Sequence, residues 1–266
     1  MTGERMWGGG SMRARMAAGE VLFGLGTRVA RSTEIAALAR AVGLDWLFVD
    51  MEHNPIHADF ACELSVAASL AGVTPLVRVP GKDPTVASRL LDAGAGGIVV
   101  PHVDRVEEIR PFVERCRFAP QGRRSLGGIL PQLGYQALPV AETMARANEE
   151  TLLCAMIESP EALDNVEAIA AVEGVDMLLI GSNDLAIEMG IPGEFENPRI
   201  AAAYEKVIAA AAAVDKKVGL GGIYTRPLLA RYLPMGFGFV LLGSDMNLLL
   251  AAMRAQRLVA QGALKG

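Results

Sequence analysis

Two acidic residues occupy equivalent points of a repeating pattern. Glu158 follows the apolar run 152–157 and Asp184 follows the next apolar run, 177–180. If the two runs form neighbouring strands, the carboxylates lie at the same end of those strands. There they would repel and raise one another's pKa unless a cation lay between them. We therefore expect Glu158 and Asp184 to bind a divalent metal, Mg²⁺ or Mn²⁺, with other oxygens completing an octahedron. The alternative is that each only caps the helix that follows it.

A histidine and an acid follow another apolar run. His53 comes after Asp50 and Glu52, so its imidazole could accept a proton at the same end of the predicted strands. His57 could take that role, or His53 could be an ordinary surface residue. The sequence therefore makes His53 a candidate acid/base residue without deciding the matter.

Arg78 and Asp92 stand in unusual places for charged residues. Arg78 lies within the apolar run 74–79 and must find a polar environment or an acidic partner, and a structural ion pair with Asp50 or Asp83 is the alternative. Asp92 ends a predicted helix, where its charge opposes the helix dipole, so we expect a specific partner for it.

Eight short apolar runs alternate with segments of helical period, which is typical of consecutive βα units. The predicted strands are 21–25, 46–50, 74–79, 97–100, 152–157, 177–180, 218–220 and 239–242. One uninterrupted alternation of this length favours an α/β fold of the (β/α)8 TIM-barrel type over an open doubly wound sheet. No G-x-G-x-x-G motif follows the first strand. In such a barrel, functional side chains lie at the carboxyl ends of the strands.

Composition excludes several classes of protein. The 266 residues are 52% hydrophobic and 21% charged, which argues against disorder, and the net charge of −5 argues against a nucleic-acid partner. No run of about 18 apolar residues is present, so we expect no membrane partner. The three cysteines form no C-x-x-C pair, which favours a reducing, cytoplasmic location. We expect 1–17 to be a flexible leader and 18–266 to be a single barrel domain.

Two further segments attract attention. Residues 118–128 and roughly the next 20 before the fifth strand predict a long loop without regular structure, and such loops are usually functional. Residues 247–259 are apolar around much of a helical circumference. We expect this C-terminal helix to contribute to packing in a homo-oligomer.

The motifs, taken in order, resemble the class II, metal-dependent 2-oxo acid aldolases of the 4-hydroxy-2-oxo-heptane-1,7-dioate (HpcH/HpaI) family. The similarity spans about residues 20–260. The motifs that carry it are Val49-Asp50-Met51-Glu52-His53, Val77-Arg78-Val79-Pro80, Leu90-Leu91-Asp92-Ala93-Gly94, Ala119-Pro120-Gln121-Gly122-Arg123, Ile157-Glu158-Ser159-Pro160 and Ile180-Gly181-Ser182-Asn183-Asp184.

The resemblance implies a (β/α)8 barrel that joins pyruvate to an aldehyde, or cleaves the resulting 4-hydroxy-2-oxo acid. It implies Mg²⁺, Mn²⁺ or Co²⁺ as cofactor, no organic cofactor, and a hexamer. The residues it assigns are Glu158 and Asp184 as metal ligands, Asp50 supporting a water on the metal, His53 as acid/base, Asp92 orienting that histidine across a subunit contact, Arg78 near the pyruvate oxygen, and Gly181, Ser182, Asn183 and Asp184 around the pyruvate carboxylate.

Several positions depart from the family pattern. Gly26, Met156 and the pair Ser182-Asn183 replace residues common in the family, all near the expected ligand pocket, so the acceptor aldehyde stays open. The basic loop at Arg123-Arg124 could reach an acidic acceptor, or could simply be solvated.

Other functions remain as alternatives. A lysine Schiff-base aldolase is disfavoured because Lys82, Lys216, Lys217 and Lys265 are not expected inside a dry barrel. The glycines at 219–222 could hold a phosphate or only serve a tight turn. A lyase acting on an acyl-CoA thioester and a non-catalytic oligomer that binds an oxo acid are the remaining alternatives.

Overall fold

A computed structural model describes residues 11–264. Eight parallel strands close into a barrel in sequence order, which confirms the predicted (β/α)8 fold. The strands are β1 (Leu22–Thr27), β2 (Trp46–Asp50), β3 (Thr74–Arg78), β4 (Gly97–Val100), β5 (Leu152–Ile157), β6 (Met177–Gly181), β7 (Lys217–Gly221) and β8 (Phe239–Ser244).

Helices surround the barrel and connect its strands. They are α1 (Met12–Ala17), α2 (Glu34–Ala41), α3 (Ala58–Leu70), α4 (Thr85–Asp92), α5 (Val106–Cys116), α6 (Val140–Glu150), α7 (Pro160–Asp164), α8 (Val166–Ala170), α9 (Ser182–Glu188), α10 (Pro198–Ala212), α11 (Arg226–Tyr232) and α12 (Asp245–Ala263). Short 3₁₀ turns occur at Pro131–Leu133 and Leu233–Met235.

Alternation along the strands separates two apolar layers. In β2, Trp46 and Phe48 belong to the cluster inside the barrel, whereas Leu47 and Val49 pack outward beneath the helices. Because side chains alternate between faces of a strand, Asp50 continues the inward series at the carboxyl end. The same alternation in β3 and beyond β5 directs Arg78 and Glu158 inward, after Leu76 and Met156 respectively.

Helix α1 lies at the opposite end of the barrel. Met12 and Met16 are each only 4% exposed and join the interior cluster that contains Leu22 and Trp46, the first residues of their strands. Arg13 fixes the helix by donating to the carbonyl oxygens of Glu149 and Thr151. The expected flexible leader therefore differs from the structure over residues 11–17, where the chain is a packed helix; residues 1–10 lie outside the described part.

The segment expected to be a long loop contains regular structure. Helix α6 occupies Val140–Glu150, and its Ala147 packs in a small cluster with Phe118 and Leu130. The expectation of a structureless connection was wrong because α6 buries little besides Thr143 and Ala147, so its apolar stripe is narrow and hard to detect in the sequence.

Helix α12 is the C-terminal helix predicted from the sequence. Its apolar side chains are largely exposed, among them Leu248, Leu249, Met253, Leu258 and Val259. This face is consistent with packing against another subunit, which stays a prediction. Across residues 11–264, no helix combines the length and apolar character needed to cross a membrane.

Candidate active site

The carboxyl ends of the strands surround an open cavity of about 170 Å³. A concave, partly apolar site at this end of a barrel suits a small-molecule ligand. Polar lining residues come from seven different strand ends or loops: Arg28, Asp50, His53, Arg78, Glu158, Ser182, Asn183, Asp184, Tyr224, Ser244 and Asn247. Every residue proposed for the site from the sequence lines this cavity, except Asp92.

Glu158 is a buried carboxylate with one oxygen unsatisfied. Its Oε2 accepts a 2.9 Å hydrogen bond from the backbone N–H of His102, whereas its Oε1 is buried without a hydrogen-bond partner. Burial raises the pKa of Glu158 to about 7; the positive charges of His102 and Arg78 act against that rise and the charge of Asp184 adds to it. Ser159, not Glu158, caps α7. The capping alternative therefore does not account for Glu158.

Asp184 lies in the first turn of α9 and lines the same cavity. Its charge contributes to the raised pKa of Glu158, so the two carboxylates lie within electrostatic reach of each other. A buried, unpartnered carboxylate oxygen beside a second carboxylate fits a divalent cation with hard oxygen ligands. Within residues 11–264 no cluster of three or more His, Cys, Asp or Glu has metal-binding geometry, so water and substrate would have to supply the other ligands.

Arg78 lines the cavity and pairs with two acids. Its Nε donates to Asp50 Oδ1 at 2.9 Å, and its Nη1 lies 2.7 Å from Glu52 Oε2 in an ion pair. The guanidinium is also 5.2 Å from the Phe48 ring centroid and 4.0 Å from Met156 Sδ. The ion pair with Asp50 considered as an alternative is thus present, yet Arg78 still faces the cavity. Both roles are compatible.

Asp50 orients its neighbours through both carboxylate oxygens. Oδ1 accepts from Arg78 and from the backbone N–H groups of Glu52 and His53, and Oδ2 accepts from Asn54 at 2.6 Å. Burial alone would raise the pKa of Asp50, but the hydrogen bond and charge of Arg78 outweigh it and lower the pKa. Oδ2 retains capacity for one further donor, such as a water.

His53 lies at the edge of the cavity, with a side chain that is 52% exposed. Its Nε2 is 3.6 Å from Glu52 Oε2, which places an acid beside the imidazole. His57 stands at the start of α3 and does not line the cavity. Of the two histidines weighed as acid/base candidates, only His53 is positioned near the carboxylates.

The amino end of α9 forms a polar wall. Ser182 is buried and accepts a hydrogen bond from the Tyr204 hydroxyl, so its side chain is already committed. The N–H groups of the first helical turn have no partner inside the helix and can bind an anion. Gly222 permits this wall to form, because a Cβ there would lie 3.1 Å from Ser182 Cβ and 3.2 Å from Asn183 N.

Asp92 and Arg124 pair with each other away from the cavity. Arg124 Nη2 donates to Asp92 Oδ1 at 2.7 Å, and the Arg124 guanidinium lies 4.7 Å from the Phe118 ring centroid. Asp92 thus has the specific partner expected for it, but within this chain it does not contact His53. Its role across a subunit contact stays a prediction. The Arg124 side chain is fully buried, so Arg124 is not free to meet an acidic acceptor.

Three residues near the site received no role from the sequence. His102 has φ +50° and presents its N–H to Glu158; the Pro101-His102 pair after β4 was the available signal. Arg28 and Tyr224 line the cavity from the loops after β1 and β7. Their types and positions just beyond strand ends could have suggested them, but nothing in the sequence shows which way a loop residue faces.

The lining of the cavity also decides between two aldolase mechanisms. None of the lysines in residues 11–264 lines it, and Lys216 instead donates to the carbonyl oxygens of Ala170 and Val172. A Schiff-base mechanism needs a lysine at the reacting carbon. The cavity therefore does not support that alternative.

Comparisons with known proteins agree with this geometry. The model of the HpcH/HpaI aldolase/citrate lyase family matches residues 27–252. The chain is similar to a 4-hydroxy-4-methyl-2-oxoglutarate aldolase of Hapsidospora irregularis, at 38% identity over 92% of this chain and 93% of the relative. It is also similar to a 5-keto-4-deoxy-D-glucarate aldolase of Shigella boydii, at 33% identity over 90% of this chain and 92% of the relative.

Among solved structures, the fold is similar to that of an HpcH/HpaI aldolase from Desulfitobacterium hafniense. The TM-score is 0.86 at 29% identity, and the alignment covers 96% of each chain. The similarity therefore extends over nearly the whole barrel and is not confined to a few motifs.

Proposed function

The chain belongs to the HpcH/HpaI aldolase/citrate lyase family, and we propose that its cavity reversibly cleaves 4-hydroxy-2-oxo acids to pyruvate and a second carbonyl compound. It is a lyase of the class II aldolase type. The observation that carries the proposal is Glu158, whose buried Oε1 has no partner in a cavity shared with Asp184 and Arg78.

Glu158 and Asp184 are the residues proposed to hold the cation. Oxygen donors suit Mg²⁺ or Mn²⁺, and Co²⁺ is a further candidate. When bound, such an ion supplies Lewis-acid polarisation of the keto oxygen. Asp50 contributes indirectly, because its Oδ2 can accept from a water while its Oδ1 holds Arg78 in place.

Binding of the pyruvate half is assigned to Arg78 and the amino end of α9. The first-turn N–H groups around Ser182–Asp184 suit the carboxylate of the substrate. The Arg78 guanidinium, fixed by Asp50 and Glu52, suits the keto oxygen and the negative charge that develops on it. Both groups are held in place before the substrate arrives.

His53 is the group proposed to move the proton. In the cleavage direction, it removes the proton of the C4 hydroxyl, the C3–C4 bond breaks, and the electron pair passes into the enolate of pyruvate. A proton returned to C3 completes the methyl group of pyruvate. The exposed position of His53 permits exchange of that proton with solvent.

Exchange of the pyruvate methyl protons in D₂O tests the proposal directly. With Mn²⁺ or Mg²⁺ added after chelation, we expect exchange with the wild type and none with Glu158→Ala or Asp184→Ala. The control is Glu161→Ala, which removes a half-exposed acid from α7 that does not line the cavity. Undiminished exchange in either cavity variant would remove that residue from the metal assignment.

Product analysis separates the remaining alternatives. Release of pyruvate from 4-hydroxy-4-methyl-2-oxoglutarate distinguishes an aldolase from an oligomer that only binds oxo acids. Turnover of an acyl-CoA thioester in place of free acids would favour the thioester lyase. We also propose a homo-oligomer, supported by the exposed apolar face of α12, and a cytoplasmic location, supported by the free thiols Cys62, Cys116 and Cys154.

A further inference from the structure

A second arginine enters the cavity from the side opposite Glu158. Arg28 follows β1, and β1 stands four strands away from β5 in the closed ring of eight. Arg28 lines the cavity together with Tyr224 after β7 and Asn247 in the first turn of α12. The part of the cavity beyond the proposed pyruvate position is therefore also polar and carries a positive charge.

The loop that carries Arg28 is anchored by a buried acid. The Asp245 carboxylate, in a residue that is 5% exposed, accepts from the backbone N–H groups of Arg28 at 2.8 Å, Val29 at 3.0 Å and Ala30 at 2.7 Å. Three charge-assisted hydrogen bonds to consecutive residues fix the backbone of the loop. Arg28 is thus presented from a rigid support.

The guanidinium of Arg28 is oriented but has no acidic partner. Its Nε donates to Asn54 Oδ1 at 2.8 Å, and Asn54 in turn donates to Asp50 Oδ2. No carboxylate among residues 11–264 forms an ion pair with Arg28, and neither of its terminal nitrogens has a hydrogen-bond partner in that part of the chain. Arg78 differs, because Asp50 and Glu52 already neutralise it.

This arrangement leaves the two terminal nitrogens of Arg28 available to a ligand. A guanidinium whose Nε is occupied presents its Nη1–Nη2 edge, which matches the two oxygens of a carboxylate. Tyr224 adds a hydroxyl donor. Partial burial raises the pKa of Tyr224, while the charges of Arg28 and Arg78 oppose the rise, so the hydroxyl lies within electrostatic reach of both arginines.

We propose that Arg28, with Tyr224, binds a carboxylate on the acceptor half of the substrate. This inference rests on the proposed aldolase function and narrows it. The substrates are then 4-hydroxy-2-oxo acids with a second carboxylate, and the acceptors are carbonyl compounds that carry a carboxylate, such as 2-oxo acids, in preference to neutral aldehydes. Arg28, and not the buried Arg124, is the specificity-determining arginine.

The test compares a charged and a neutral acceptor of similar size. The measured quantity is the ratio of kcat/KM for glyoxylate to kcat/KM for glycolaldehyde, each with pyruvate. We expect Arg28→Met to lower this ratio by about 30-fold or more, because one charge-assisted contact is lost. Arg28→Lys should lower it by about threefold to tenfold, since the charge remains without the two-point geometry. The ratio cancels any loss that affects both acceptors alike.

The matched control removes a nearby positive charge outside the cavity. Arg226 begins α11, is exposed and does not line the cavity, so Arg226→Met should keep the wild-type ratio. A ratio in Arg28→Met within threefold of the wild type would overturn the inference. If Arg28→Met proves unfolded by circular dichroism, the ratio in Arg28→Lys decides by the same comparison, and an unchanged ratio there overturns it.

A separate measurement distinguishes this inference from the proposed function. Exchange of pyruvate methyl protons by the wild type requires no acceptor. Absence of that exchange would overturn the aldolase proposal and this inference with it. If exchange occurs but the Arg28 variants keep the wild-type ratio of kcat/KM for glyoxylate to glycolaldehyde, the aldolase proposal stands. Only the carboxylate-binding role of Arg28 is then overturned.

Discussion

Glu158 should make the stability of the metal-free protein depend on pH. Its pKa is raised from 4.5 to about 7, mainly by burial. A group whose pKa is higher in the folded than in the unfolded state favours folding at pH values below its unfolded pKa, and that contribution is lost as pH rises through the folded pKa. Between about pH 5 and about pH 8, linkage gives a loss of about 2.5 kcal/mol in the free energy of unfolding.

Glu158→Gln removes this titration and retains an oxygen that can accept from the His102 N–H. Urea unfolding in EDTA at one protein concentration measures the free energy of unfolding of both proteins. We expect the stability of the variant relative to the wild type to be about 2.5 kcal/mol greater at pH 8 than at pH 5. The control is Glu161→Gln, at a half-exposed acid. Its stability relative to the wild type should differ between pH 5 and pH 8 by less than about 0.5 kcal/mol.

Adding Mn²⁺ should offset the pH-dependent disadvantage of the wild type. At pH 8 and a concentration about 100 times the dissociation constant, the ion should stabilise the wild type by about 2.7 kcal/mol. Glu158→Gln should gain little. A stability difference that is the same at both pH values would refute the cost assigned to the buried carboxylate. Equal stabilisation of both proteins by Mn²⁺ would refute its role as a ligand.

Two other substitutions test the proton-transfer group and the pyruvate wall. His53→Ala should lower aldol turnover by about 10²-fold if the imidazole is the acid/base group. His57→Ala, outside the cavity, should leave the turnover unchanged. A near-normal rate for His53→Ala would remove the assignment of His53. Gly222→Ala should raise the KM for pyruvate, because its Cβ would press on Ser182 and Asn183. Gly193→Ala shares the positive φ but meets nothing within 4 Å, so it should change stability alone; equal KM values would contradict the proposed wall.

The sequence predicted the barrel and the inward carboxylates for one physical reason. Apolar residues two apart inside a strand, such as Trp46 and Phe48, identify the interior face, and the next residue of the series is the polar one at the mouth. Asp50, Arg78 and Glu158 all follow this alternation. A pattern set by strand geometry survives in the sequence, so those three residues could be found without a structure.

Residues held by contacts distant in the chain left no such pattern. Arg28 faces the cavity because Asp245 anchors its loop, and the hydrogen bond joins residues that are 217 positions apart. His102 presents its N–H to Glu158 through a left-handed backbone conformation. The residue type alone does not predict that conformation. Arg124 looked solvent-exposed in a basic loop, yet Phe118 and Asp92 bury it. Each outcome depends on tertiary packing.

Helix α1 has a practical consequence for anyone who prepares the protein. Met12 and Met16 cover the amino end of the barrel, where they pack in the interior cluster that contains Leu22 and Trp46. A shortened protein that begins at residue 18, after the glycine-rich start of the chain, would lack both methionines. The Trp46 indole would then be exposed to solvent at that end of the barrel. If such a protein aggregates or loses turnover, the cause would be the loss of α1 and not a change at the catalytic residues.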